Sequence, residues 1–81
     1  MKFKRKPIVV EAFRWTIDEV PKWWEAAGSM SINVANGSVF IPTPEGIHEA
    51  QVGDWIIRDI QGEIYPIKDD TFWKTYEKII D

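Results

Sequence analysis

The Asn36-Gly37 pair, which lies between alternating apolar residues, constrains the fold of this chain more than any other feature. A two-residue type I′ turn needs a positive φ at both central positions, and Asn and Gly adopt it more readily than other residues. The pair therefore predicts a β-hairpin in which Ile32 and Val34 pair with a strand carrying Val39 and Ile41.

Further short strands are predicted on both sides of this hairpin. The segment PIVVEAFRW (7–15) is apolar on both faces, which indicates a central strand covered on two sides. Weaker and stronger strand patterns follow at IHEAQV, DWIIRDI and EIYPIK, and YEKII is predicted as a final strand. Pro66 cannot donate to a ladder, so EIYPIK is predicted to be an edge strand or to bulge there.

One helix is predicted at about residues 18–27, because apolar side chains recur at helical spacing there. Those side chains are Val20, Trp23, Trp24 and Ala27. Asp18 is suited to cap this helix, and Pro21 is tolerated in its first turn. Asp69-Asp70-Thr71 is suited to cap a short helical turn near the C-terminus. The predicted fold class is α+β: an antiparallel sheet of five to seven short strands with the helix packed on it.

Composition favours a single domain over residues 1–81 that folds without crosslinks. The chain has no cysteine, so it has neither a disulfide nor a thiolate metal site. It carries five tryptophans, and 44% of its residues are apolar, which is enough for a packed core. No apolar run approaches the roughly 18–20 residues of a membrane span, so we expect no membrane partner and a cytoplasmic location.

The charge is distributed unevenly. Residues 1–6 contain four bases, Lys2, Lys4, Arg5 and Lys6, whereas residues 45–81 contain nine acids and four bases. A basic arm on an acidic body can bind nucleic acid through phosphates. It can also remain solvated or pair with the body's own acids, and the sequence leaves these alternatives open.

Groupings typical of catalysis or metal binding are not apparent in the sequence. His48 is the only histidine, and one imidazole makes a zinc site only with nearby cysteines or well-placed carboxylates, whereas its neighbours Glu45 and Glu49 are loop-like. Asp54 and Asp59 lie five residues apart on a predicted strand, so their carboxylates point to opposite faces. There is no phosphate-binding glycine motif. These observations favour a protein that is not an enzyme and that needs no metal or cofactor.

Aromatic and basic residues form the candidate binding set. The candidates for a ligand site that combines stacking with cationic donors are Arg14, Trp15, Trp55, Arg58, Tyr65, Lys68 and Tyr76. The candidates for a protein interface are Trp23, Trp24 and Trp73, since five tryptophans exceed what a small core easily encloses. The alternative is that all of them are core residues.

The segment VGDWIIRD contains both predicted core residues and a candidate binding residue. Gly53-Asp54 is predicted to form a turn before a strand, with Trp55 and Ile57 facing the core beneath the helix. Arg58 then points to the opposite face. There it either extends to water or anchors an acidic or phosphate group.

Both ends of the chain resemble a family of small proteins encoded by tailed phages and prophages. KRKPIVVEAFRW matches the family's opening K/R-K-P-V-x-V-E-A-x-x-W, and VGDWIIRDIQGEIYPIKDDTFWKTYE matches its closing P-G-D-W/Y-I-I-R-G-x-x-G-E-x-Y-P-x-K-P-D-x-F-x-x-T-Y-E. The chain departs from that pattern at Val52, Asp59 and Asp69, where the family has Pro, Gly and Pro. Residues 18–50 are not covered. The resemblance implies a phage accessory protein made in the bacterial cytoplasm.

Together these features predict a non-enzymatic accessory protein that inhibits a host defence system. It would do so by binding a host protein or by sequestering a small nucleotide signal. The alternatives are a structural protein that assembles into a homo-oligomer through its tryptophans, and a nucleic-acid-binding protein that uses the basic arm.

Overall fold

The computed structural model describes residues 1–4, 6–28 and 30–80, so Arg5 of the basic arm lies outside the described residues. Within these residues, six strands and two short helices confirm the predicted α+β class. In chain order they are β1 (Glu11–Arg14), α1 (Lys22–Ala26), β2 (Ser31–Ile32), β3 (Val39–Thr43), β4 (Gly46–Ala50), β5 (Trp55–Arg58), β6 (Ile64–Ile67) and α2 (Asp69–Thr75). Neither helix has the length and apolar character needed to cross a membrane.

The strands form two antiparallel three-stranded sheets, so the prediction of one continuous sheet was wrong. Sheet A has the order β1-β5-β6, and sheet B has the order β2-β3-β4. A turn at Gln51–Asp54 separates them, with Gly53 at φ +91° and the Asp54 N–H donating to the Gln51 carbonyl at 3.0 Å. The Trp15 N–H donates to the Asp54 carbonyl at 2.8 Å, which directs β5 to β1 rather than back along β4. The prediction that Gly53-Asp54 forms a turn before a strand is therefore confirmed.

β1 is an edge strand, so the prediction of a central strand over residues 7–15 was wrong. Its partner β5 ends at Arg58, opposite Glu11, and the chain then turns back into β6. Residues 7–10 consequently meet no strand of this chain within the described residues. Ile8 is 49% exposed and Val9 67% exposed, although both lie in the apolar pattern that predicted the strand.

α1 is shorter than the predicted helix of about 18–27. Pro21 is its N-cap residue, with ψ 159°, rather than part of its first turn. The residue before a proline is driven out of the α region, so the helix cannot extend back through Val20. Asp18 does not cap α1 either, because its Oδ2 accepts the backbone N–H of Arg14 at 2.9 Å.

The predicted hairpin is present, but its turn differs. Ile32 lies opposite Val39, and the Asn33 N–H donates to the Ser38 carbonyl at 2.8 Å, so the loop has four residues instead of two. Gly37 alone in this loop has a positive φ, +75°. Asn36 instead accepts the Ser38 N–H through its side-chain oxygen at 3.0 Å, which stabilises the wider loop.

The main core lies between sheet A, sheet B and α1. Its buried members are Phe13, Trp15, Trp24, Val39, Ile41, Ala50 and Ile56. Ile56 therefore faces the α1 side, and Trp55 lies on the opposite face against α2. The prediction that Trp55 lies beneath the helix of about 18–27 was wrong, because successive strand side chains alternate between faces.

The C-terminal region is helical and then irregular. α2 confirms the predicted C-terminal helical turn, although its N-cap residue Lys68 makes no side-chain capping bond. Residues 76–80 form no strand, so that prediction was wrong. The α2 C-cap residue, Tyr76, is extended, but no strand among the described residues pairs with YEKII. β6 is an edge strand, as Pro66 predicted.

Candidate functional site

One carboxylate oxygen accepts hydrogen bonds from two indole rings on the outer face of sheet A and lies near a guanidinium. Asp69 Oδ1 accepts the indole N–H of Trp55 at 2.8 Å and that of Trp73 at 3.2 Å. The same oxygen lies 3.6 Å from Arg14 Nε. Two hydrogen bonds to one carboxylate oxygen favour a single arrangement of the two indole rings, because either ring loses its bond when it rotates away.

α2 contributes the remaining rings of this aromatic cluster. Phe72 stacks on Trp55 with a centroid distance of 4.0 Å and an interplanar angle of 5°. Trp73 meets Trp55 edge-on at 5.5 Å and 87°, and Tyr76 lies 5.3 Å from Phe72. Phe72 is buried, whereas Trp73 is 51% exposed. The cluster is thus packed at its base and open to solvent at its top.

A groove of about 770 Å³ runs along this cluster, and we call it the aromatic groove. On one side it is bounded by β1 and the residues before it, and on the other by α2 and the residues after it. Its lining residues are Ile8, Val9, Val10, Ala12, Asp18, Trp55, Phe72, Trp73, Tyr76, Glu77, Lys78 and Ile79. Sites for small ligands typically have volumes of about 300–1,000 Å³, so the space is large enough to bind one.

The β1 wall of the aromatic groove presents backbone hydrogen-bonding groups. The Trp15 N–H points toward β5, where it donates to Asp54. Backbone groups alternate in direction along a strand, so those of Phe13 also point toward β5 and those of Ala12 and Arg14 point away. The contact of the Arg14 N–H with Asp18 agrees with this direction. The N–H and carbonyl of Ala12 therefore point away from β5, outward from the β1 edge of sheet A.

Charges of both signs surround the aromatic groove. Arg14 places its Cζ 6.0 Å from the centroid of the Trp55 ring, and its Nε donates to the Gly53 carbonyl at 3.1 Å. Asp18, Glu77 and Lys78 are exposed residues of the lining. The lining itself therefore contains two acids and one base.

The structure brings part of the predicted binding set together. Arg14, Trp55 and Tyr76 lie in or beside the aromatic groove, and so does Trp73 from the predicted interface set. Trp15 and Trp24 are buried in the core. The Trp15 indole N–H donates to the Gly37 carbonyl at 2.8 Å, which ties β1 to the hairpin loop.

The other predicted residues lie elsewhere. Arg58 is on the α1 side, with its Cζ 5.8 Å from the centroid of the Trp23 ring. Lys68 binds the Asp54 carboxylate, with 3.0 Å between Nζ and Oδ2. Tyr65 lines a separate depression of about 340 Å³ beside His48. Among the described residues, no group of three His, Cys, Asp or Glu side chains is placed to hold a metal ion.

Asp69 and Phe72 belong to the site but were absent from the predicted binding set. Asp69 was interpreted only as a helix-capping residue. The signal that could have found it is the spacing of Asp69 and Trp73, because side chains four residues apart meet on a helix surface. The contact between Asp69 and Trp55 joins distant parts of the chain, and no local pattern indicates it.

Replacing Asp69 by asparagine is expected to alter the near-ultraviolet circular dichroism of the tryptophans and to lower the free energy of unfolding by about 1 kcal/mol. Hydrogen bonds to an ionised acceptor contribute roughly 1.5–3 kcal/mol, and the partial exposure of Asp69 reduces that value. Asp70→Asn is the matched control, since Asp70 Oδ1 accepts only from the adjacent Thr71. An unchanged spectrum for Asp69→Asn would contradict the assigned role.

Compared with protein-family models, with curated proteins and with solved structures, the chain has no match in any of the three. The function therefore has to be argued from the geometry of the aromatic groove and from the sequence.

Proposed function

We propose that this protein is a non-enzymatic binding protein of phage or prophage origin that holds a segment of a host protein in the aromatic groove. The observation that carries the proposal is the arrangement of Trp55 and Trp73 around Asp69, which preorganises an aromatic surface next to an open strand edge. The resemblance of both chain ends to the phage family supports the origin.

The exposed Trp73 supports a protein partner. Its ring is 51% exposed although its N–H is already bonded to Asp69, so the ring is held in place in the free protein. A rigid aromatic side chain loses little conformational entropy on binding, and tryptophan is enriched among the residues that dominate interface energies. A partner that covers Trp73 gains apolar burial without having to order the ring.

The charges favour a protein segment over a phosphorylated ligand. Asp18 and Glu77 outnumber Lys78 in the lining, so phosphate groups in the aromatic groove would meet more repulsion than attraction. A peptide of mixed polarity can match both signs along the groove. Its backbone can also pair with the outward groups of Ala12, as in binding by strand addition.

A small nucleotide is the second candidate, and Arg14 is the observation that favours it. Its guanidinium lies against Trp55, so a base stacked in the aromatic groove would have a cation beside it. Cyclic di- and oligonucleotides would then raise the unfolding temperature in proportion to occupancy. The absence of such a shift in Tm with every nucleotide would exclude this candidate.

Trp73→Ala is expected to reduce retention of the host partner by at least about tenfold, since interface residues of this kind contribute roughly 2 kcal/mol or more. The measurement is native mass spectrometry of tagged protein purified from host cells. Ile32→Ala is the control, because Ile32 is 55% exposed on β2 and is not part of the groove lining. Trp73→Ala also loses its indole bond to Asp69, so retention is measured well below the unfolding midpoint of each variant.

Equal retention by Trp73→Ala and the wild type would refute the assignment of the aromatic groove. Purification of the wild-type protein without any stoichiometric host protein would refute a protein partner.

A further inference from the structure

The Asn36-Gly37 pair of the hairpin loop is chemically reactive as well as turn-forming. Gly37 has no side chain, so in a flexible chain its backbone nitrogen can reach the side-chain carbonyl carbon of Asn36. The nitrogen then forms a bond to Cγ, the bond from Cγ to Nδ2 breaks, and ammonia leaves with the proton that the Gly37 nitrogen gave up. One water opens the resulting succinimide ring to aspartate or isoaspartate.

We propose that Asn36 is a latent deamidation site, which the closed hairpin loop holds unreacted and which opening of the loop converts irreversibly. Asn36 is exposed, so water reaches it. Both reacting groups, however, are hydrogen-bonded within the loop. The rate of the reaction in the folded protein therefore follows the population of the open loop.

The nucleophile is held by Asn33. The Gly37 N–H donates to the Asn33 carbonyl at 2.7 Å. An amide nitrogen attacks only after it has lost its proton, and a hydrogen bond to a carbonyl oxygen stabilises the protonated form. This bond has to break before the Gly37 nitrogen can attack.

The carbon that would be attacked is held by Ser38. Asn36 Oδ1 accepts the Ser38 N–H at 3.0 Å and the Ser38 hydroxyl proton at 2.8 Å. Ser38 is 1% exposed, so the surrounding core fixes the position of both donors. Closure of the succinimide ring moves Cγ and its oxygen away from them.

The two donors of Ser38 could also act in the opposite direction. Donors at a carbonyl oxygen stabilise the negative charge that develops during attack on its carbon. That effect requires a nucleophile that is free to attack, and the Gly37 nitrogen is not free in the closed loop. The bonds of Asn36 to Ser38 therefore protect the amide.

Conversion of Asn36 would disturb the contact between the hairpin loop and β1. The Gly37 carbonyl accepts the indole N–H of the buried Trp15 at 2.8 Å. Isoaspartate lengthens the main chain by one carbon just before Gly37, which displaces this carbonyl. Aspartate instead places a second carboxylate at Ser38, whose Oγ already lies 3.0 Å from Glu49 Oε2. Either product favours the open loop.

The inference goes beyond the proposed function, because it concerns the lifetime of the folded protein and not what the aromatic groove holds. A failure to retain a host protein leaves it intact. A failure of the protection at Asn36 likewise leaves the aromatic groove intact.

Deamidation of the wild-type protein at neutral pH is expected to be at least about tenfold slower in the folded state than in urea. The estimate follows from three hydrogen bonds that each favour the closed loop by a factor of about two to ten. Tandem mass spectrometry of the peptide that contains both asparagines, Asn33 and Asn36, locates the product. Equal rates in the two states would overturn the proposal, and so would conversion of Asn33 instead of Asn36.

Ser38→Ala provides a second measurement, because it removes the hydroxyl donor and leaves Asn36-Gly37 unchanged. Deamidation of the folded variant is expected to be about fivefold faster than that of the wild type. Thr43→Ala is the matched control, since it removes a hydroxyl that donates to the Gly46 carbonyl at 2.7 Å in the next hairpin. Both are measured well below their unfolding midpoints. A Ser38→Ala rate equal to or below that of the wild type would overturn the proposal, and so would equal acceleration by Thr43→Ala.

Discussion

Replacing Ile56 by alanine is expected to lower the free energy of unfolding by about 2–5 kcal/mol. Ile56 is completely buried at the centre of sheet A and faces the core that includes Phe13 and Trp24. A folded chain of this length has a total stability of about 4–12 kcal/mol, at roughly 0.05–0.15 kcal/mol per residue. The expected loss is therefore a large fraction of the total stability.

Ile60 provides a matched control for this substitution. It lies four residues after Ile56, in the turn that follows β5, and is 79% exposed. Ile60→Ala makes the same chemical change without opening a cavity, so its effect should stay within about 0.5 kcal/mol. Urea unfolding followed by tryptophan fluorescence measures both variants. Similar losses for the two would show that β5 does not form the centre of the core.

Replacing Asp54 by alanine is expected to lower the free energy of unfolding by about 2–3 kcal/mol. Asp54 is 7% exposed, and its Oδ2 accepts the Gln51 N–H at 2.8 Å and a Lys68 Nζ proton at 3.0 Å. Removal of the carboxylate leaves the Gln51 N–H without its acceptor at the turn that joins the two sheets. A hydrogen bond to an ionised acceptor contributes roughly 1.5–3 kcal/mol.

Two further variants separate the hydrogen bond from the ion pair at Asp54. Asp54→Asn keeps an acceptor for the Gln51 N–H, and Lys68→Met removes only the ammonium group. Because the Lys68 side chain is 57% exposed, its ion pair contributes at most about 1 kcal/mol. The expected order of destabilisation is Asp54→Ala, then Asp54→Asn, then Lys68→Met. If Lys68→Met were the most destabilising of the three, the turn would depend on the ion pair instead.

Local signals predicted the turns and most of the strands of this fold, but not the extent of β1 and α1 or the assembly of the sheets. Asn36-Gly37 indicated a hairpin and Pro66 indicated an edge strand, because turn and ladder chemistry act over a few residues. The division into two sheets depends on the bond between Trp15 and Asp54, which are far apart in the chain. A pattern read along the sequence contains no information about such a contact.

The candidate site was likewise predicted only in part. Arg14, Trp55 and Tyr76 were in the predicted binding set because of their chemistry, and they lie together at the aromatic groove. Arg58 and Lys68 have the same chemistry but lie beside Trp23 and Asp54. Composition indicates which side chains can bind a ligand, whereas strand order determines which of them meet.

Pro66 gives the two edges of sheet A different capacities for growth. The Asp59 N–H donates to the Glu63 carbonyl at 2.9 Å, so by alternation the nitrogen of Pro66 points away from β5 and offers no proton at that edge. A sheet that can add a strand at one edge only does not propagate into a fibre, because its other edge offers no place for a further strand. Strand addition at β1, as proposed for the host segment, would therefore add one strand and leave the β6 edge unextended.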